Sequence, residues 1–106
     1  MSARSRKNHL PQKMKPLFWE YDFARLSWEK HRDLITLRLL TSGGLSDWQW
    51  LRRRVSADEL REWIIARKGR GLSPRQVTFW GVVLGIPSRT VSHWLNAPER
   101  QIWDKR

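Results

Sequence analysis

An all-α fold of five or six short helices in one compact domain, ending in a helix-turn-helix, is what this sequence predicts. Three observations predict it. Ser is followed three residues later by Gln or Glu at Ser46/Gln49, Ser56/Glu59 and Ser73/Gln76, the signature of a capped helix start. Glycines at 43–44, 69, 71 and 85 fall where those helices should stop. No stretch keeps up the apolar/polar alternation of a half-buried strand.

Taken in order, residues 1–16 read as a disordered basic tail. Arg4, Arg6, Lys7, Lys13 and Lys15 face no acidic residue there, and Pro11 and Pro16 interrupt it. Structure is expected to begin at Leu17, Phe18 and Trp19 and to continue through Tyr21, Phe23 and Leu26 in a turn or short helical piece. Ser27 reads as the N-cap of a helix from Trp28 to about Leu40, whose Leu34, Ile35, Leu37, Leu39 and Leu40 make it the central apolar element. Gly43 and Gly44 end it. Three capped starts follow: Ser46 before Trp50 and Leu51, Ser56 before Leu60, Trp63, Ile64 and Ile65, and Ser73 with Pro74 at the first helical position. The globular part is expected over 17–96, with 97–106 as a C-terminal tail.

Residues 76–96, QVTFWGVVLGIPSRTVSHWLN, carry the positional requirements of a DNA-reading pair of helices. Gly85 supplies the turn, and Pro87 and Ser88 restart the chain, with Ser88 as the expected cap. Trp80, Leu84, Ile86, Val91 and Trp94 are apolar where crossed helices must touch, and Gly81 is minimal where the backbones approach. Arg89, Thr90, Ser92 and His93, with Asn96 beyond, remain as a hydrogen-bonding face without a core role. Two helices joined by a glycine turn also occur as plain packing units, so this pattern alone leaves two uses open.

Charge adds a second line. The 106 residues carry 21 Lys and Arg against 10 Asp and Glu, a net charge of +11. Such a chain gains salt-dependent affinity for nucleic acid, and equally for an acidic protein. Arg52, Arg53 and Arg54 form one basic run, while Arg67, Lys68, Arg70 and Arg75 flank the approach to the helix-turn-helix, placed to clamp phosphates or simply solvated. The eight tryptophans follow helical spacing, which assigns most of them to the core. With no cysteine, disulfides and thiolate metal sites are excluded. No apolar run is long enough for a membrane span and the basic N-terminus lacks an apolar signal segment, so the expected compartment is the cytoplasm.

Catalysis is not expected. His9, His31 and His93 are scattered without the spacing of metal ligands, and Asp58 and Glu59 are first-turn helix residues. Gly69, Arg70 and Gly71 lack the following Lys and hydroxyl of a phosphate-binding loop. Neither a cofactor nor a metal is expected.

Several short stretches resemble a small bacterial family of unassigned domains. They are Leu17-Phe18-Trp19 with Trp28-Glu29-Lys30-His31, Asp47-Trp48-Gln49-Trp50-Leu51, and Leu72-Ser73-Pro74-Arg75 running into Phe79-Trp80 and Leu84-Gly85-Ile86-Pro87. The likeness covers roughly 17–87. Members are commonly encoded beside AbiEii-type nucleotidyltransferase toxins, so the resemblance implies the antitoxin half of a toxin–antitoxin pair. The complete polar second helix and the basic N-terminus depart from that pattern.

Three functions fit. The first is an antitoxin that neutralises a nucleotidyltransferase-like toxin and represses its own operon. There Arg75, Ser88, Arg89, Thr90, Ser92, His93 and Asn96 would face DNA. Arg4, Arg6, Lys7, Lys13, Lys15, Phe18, Trp19, Arg52, Arg53 and Arg54 would face the toxin. The second is a stand-alone regulator which, as a homodimer, would read half-sites about one helical turn apart. The third is an interaction module whose helix-turn-helix is only packing.

Overall fold

The computed structural model describes residues 10–98 and Arg100. Five α-helices and two 3₁₀ segments lie wholly within the described part, and no strand occurs in it. The helices are α1 (Arg32–Ser42), α2 (Leu45–Arg54), α3 (Ala57–Arg67), α4 (Pro74–Leu84) and α5 (Ser88–Leu95). The 3₁₀ segments are η1 (Gln12–Phe18) and η2 (Phe23–Arg25). The chain divides into two compact units, 1–51 and 52–106, a finer division than the single domain read from length.

In the first unit, order begins before the expected boundary at residue 16. Leu10, Met14 and Phe18 recur every four residues and all three are buried, Met14 and Phe18 completely. Lys13 and Lys15 between them stay exposed. Lysines and prolines masked the pattern in the sequence. η1 packs on α1. Arg38 of α1 fastens the end of η1 and the chain just after it. Its guanidinium donates to the Leu17 carbonyl and to both carboxylate oxygens of Glu20, at 2.9 and 2.8 Å. The Arg38 hydrogen bond holds the Glu20 carboxyl below its ordinary pKa, helped by a backbone hydrogen bond.

The expected helix from Trp28 is corrected. Residues 28–30 form a turn and α1 starts only at Arg32. Ser27 does act as a local cap, its Oγ accepting the Lys30 amide at 3.4 Å. However, the Ser27 amide donates to Nδ1 of His31 at 3.0 Å, which holds the chain in a closed turn before the helix. Ser46 is corrected as well. α2 begins at Leu45, and the Asp47 carboxylate accepts the Gly44 amide at 2.9 Å, so the cap lies two residues earlier. Between α1 and α2, a Cβ on Gly43 would stand 2.6 Å from the Leu39 carbonyl oxygen. Leu39 also accepts from the indole of Trp48 at 2.8 Å, and Trp50 meets Trp28 edge-on at 5.7 Å.

In the second unit both remaining capping boxes form as expected. Ser56 Oγ accepts the Glu59 amide at 3.1 Å and Glu59 returns to the Ser56 amide at 2.8 Å. The Ser73–Gln76 pair repeats this at 3.2 and 2.9 Å. Each box satisfies two amides that a helix start leaves open. α3 ends at Arg67, two residues before Gly69, and the left-handed C-cap is Lys68 itself at φ 56°. Leu60, Ile64, Leu72, Val77 and Trp80 fill the space where α3 packs on α4. Arg100 corrects the expected tail at 97–106. It is only 8 % exposed, and its guanidinium donates to the carbonyls of Gly69 and Leu72.

Candidate nucleic-acid interface

The site is built on the α4–turn–α5 pair, which lies wholly in the second unit. α4 ends at Gly85, whose φ of 76° lets the chain reverse in a conformation that costs an L side chain about 1–2 kcal/mol. The Ile86 amide then reaches back to the Gly81 carbonyl at 2.8 Å, tucking Ile86 under the end of α4. Trp80, Leu84, Ile86, Val91 and Trp94 are all buried. At Gly81 the two helices approach closely, for a Cβ there would lie 3.0 Å from Cγ2 of Val91. The apolar assignments drawn from the sequence therefore hold at every position.

The expected cap does not. Pro87 occupies the N-cap position, Ser88 is the first residue of α5, and no side-chain hydrogen bond caps the helix. The Pro87 carbonyl instead takes the Thr90 and Val91 amides at 3.0 and 3.2 Å. With proline's backbone fixed near its required angle, the helix starts one residue early and the Ser88 hydroxyl is released to solvent.

On α5 the exposed residues are Ser88, Arg89, Ser92 and His93, with Asn96 following, while Thr90 is half-buried. At about 100° per residue, Arg89, Ser92, His93 and Asn96 fall within roughly 100° of arc, opposite Val91 and Trp94. Among the described residues none of these four side chains makes a hydrogen bond. Elsewhere the hydroxyls of Thr78 and Thr41 are spent on carbonyls of their own helices. A row of polar groups held on a rigid helix without internal partners is free to meet an external one.

The other candidates fall into two groups. Arg75 is exposed at the start of α4, in the same unit as α5, and so are Lys68 and Arg70. Arg52, Arg53 and Arg54 are exposed on the last turn of α2. Arg52 donates to the Val55 carbonyl at 3.2 Å, and partial burial followed by the neighbouring Arg53 charge lowers the Arg54 pKa. In the first unit Lys13 and Lys15 are exposed, and Trp19 stands out at 80 %. Phe18 is corrected: at 0 % exposed it is a core anchor and offers no contact surface. Arg4, Arg6 and Lys7 lie outside the described residues.

Sequence reading missed Val82 and Val83, two exposed apolar side chains on the outward side of α4, because helical spacing alone suggested burial for an apolar run. Among the described residues, no cluster of three His, Cys, Asp or Glu could hold a metal, and no helix is long and apolar enough to cross a membrane.

The family described as "Family of unknown function (DUF6922)" matches residues 14–67, 54 of the 106 residues. The chain belongs to this family. No curated protein and no solved structure matches it. The DUF6922 match takes in the whole of α1, α2 and α3 and stops before Ser73. In this DUF6922 member, the α4–turn–α5 pair therefore stands beyond the matched part of the chain.

Proposed function

We propose that this protein binds double-stranded DNA, laying α5 in the major groove while Arg75 and its basic neighbours hold adjacent phosphates. One observation carries the reading: the outward face of α5 is a continuous row of polar side chains that have no internal partners among the described residues, carried on a tightly packed helix pair. The net charge of +11 supplies the sequence-independent attraction that such a reader needs.

The purpose of that binding is, in this reading, autoregulation by an antitoxin. Neutralisation of a nucleotidyltransferase-like toxin is supported by the resemblance alone. Exposed Trp19 and the lysines near it are the surface assigned to the toxin.

Two measurements test the two halves. Fluorescence anisotropy with the upstream region of the protein's own gene should show binding that survives about 150 mM salt and exceeds that for scrambled duplex by a thousandfold or more. Sequence-blind binding that collapses over the same salt range would defeat the DNA reading. A pull-down from the native host with nuclease treatment should retain a nucleotidyltransferase; loss of all protein on nuclease treatment would defeat the antitoxin half only.

A further inference from the structure

We infer that α5 reads a guanine through Arg89 and an adenine through Asn96, on base pairs about three steps apart. This rests on the DNA-binding reading above and specifies the sequence class that the site selects.

The argument starts from the helix wheel. Val91 and Trp94 are the buried residues of α5 and define its inward direction. Counting about 100° per residue, Arg89 and Asn96 lie within roughly 20° of each other on the line farthest from that direction. Ser92 and His93 sit to either side, about 60° and 40° away from Arg89. The outermost line of a helix seated in a groove faces the groove floor, where base edges are; the flanks face the walls, where phosphates are. Arg89 and Asn96 are therefore the floor residues, and Ser92 and His93 lie nearer the walls.

Chemistry then assigns the bases. A guanidinium presents a fork of donors that matches the two acceptors of guanine, O6 and N7. A carboxamide offers one donor and one acceptor, matching N7 and N6 of adenine. Neither side chain has an intramolecular bond to surrender first among the described residues.

Length sets the register. Arg89 and Asn96 are seven residues apart, about 10.5 Å along the axis at 1.5 Å per residue. At about 3.4 Å per base, that distance spans about three steps. The eight residues of α5 measure about 12 Å in all, close to the width of the major groove. Laid along the groove, a helix this short keeps Asn96, the residue at its C-terminal end, within reach of the floor.

The test is selection from randomised duplexes with the full chain, followed by sequencing, for the unaltered protein and for Arg89→Ala and Asn96→Ala. Both positions are exposed, and circular dichroism melting confirms that each variant stays folded. The expected consensus holds a guanine and an adenine about three steps apart, each favoured roughly ten- to a hundredfold over other bases. Arg89→Ala should flatten the guanine alone and Asn96→Ala the adenine alone, each preference falling to about one. If both variants weaken binding to all sequences equally, the two side chains lie on phosphates and the assignment is overturned while DNA binding stands. If the unaltered chain enriches no sequence, the DNA-binding reading itself fails and the assignment with it.

Discussion

Replacing Gly81 by Ala sets two opposed effects against each other at the crossing of α4 and α5. The added methyl would stand 3.0 Å from Cγ2 of Val91, whereas carbons pack best at about 3.5–4.0 Å. Forcing a methyl into such a contact costs about 1–3 kcal/mol. Against this, Ala stabilises a helix interior by about 0.8–1.0 kcal/mol relative to Gly. The clash wins, and the expected net loss is about 1 kcal/mol. Val91→Ala alone removes two buried methyl groups, worth roughly 1.6 kcal/mol in transfer and somewhat more with the cavity left behind, about 2 kcal/mol together. In the double variant the clash has gone and the helix keeps its propensity gain. Its loss should then be about 1 kcal/mol, where simple addition gives about 3 kcal/mol. Equilibrium urea unfolding followed by circular dichroism reads this coupling of about 2 kcal/mol directly. Two helices that did not meet at Gly81 would give losses that add to within about 0.5 kcal/mol. That result would refute the close approach on which the placement of α5 depends.

Three further outcomes follow from neighbouring features. Phe18→Ala should cost about 3–5 kcal/mol of stability, whereas Trp19→Ala should change it by less than about 0.5 kcal/mol, both by urea unfolding. Glu20→Gln should destabilise the chain at neutral pH. Because the folded pKa of Glu20 is depressed, its contribution is present above the unfolded value and is lost as pH falls through the folded one. The two proteins should therefore converge in stability below the ordinary glutamate range, and a difference that persists in strong acid would count against the Arg38 pairing. Arg75→Ala should make the salt dependence of DNA affinity shallower by about one phosphate contact and leave sequence preference intact, as judged by titration on two duplexes.

Local chemistry made much of the α4–turn–α5 pair readable in advance. The Ser56 and Ser73 boxes and the left-handed Gly85 depend on neighbours within about four residues, the apolar set from Trp80 to Trp94 on helical spacing across one turn, and each formed as the sequence implied. The misreadings share a cause. Ser27, Ser46 and Ser88 all have the residue type of an N-cap. At Ser27 the competing partner was His31, at Ser46 the carboxylate of Asp47 had already taken the Gly44 amide, and at Ser88 the rigid Pro87 had started the helix first. A preference shared by several nearby residues does not reveal which of them is satisfied.

The sequence by itself determined that the chain is helical, where α3 and α4 begin, where α4 must turn, and which residues of α5 are left without a core role. These are consequences of hydrogen bonds and periodicity within a turn or two, which the order of residues specifies directly. Tertiary structure alone decided that Leu10, Met14 and Phe18 are inside and Trp19 outside. It alone showed that Arg38 reaches Leu17 and Glu20 across 21 and 18 positions, and that Arg100 returns to Gly69 and Leu72 across 31 and 28. Arginine is ordinarily a surface residue, and only the arrival of carbonyls from distant turns makes its burial favourable, because a buried guanidinium must find acceptors for its donors.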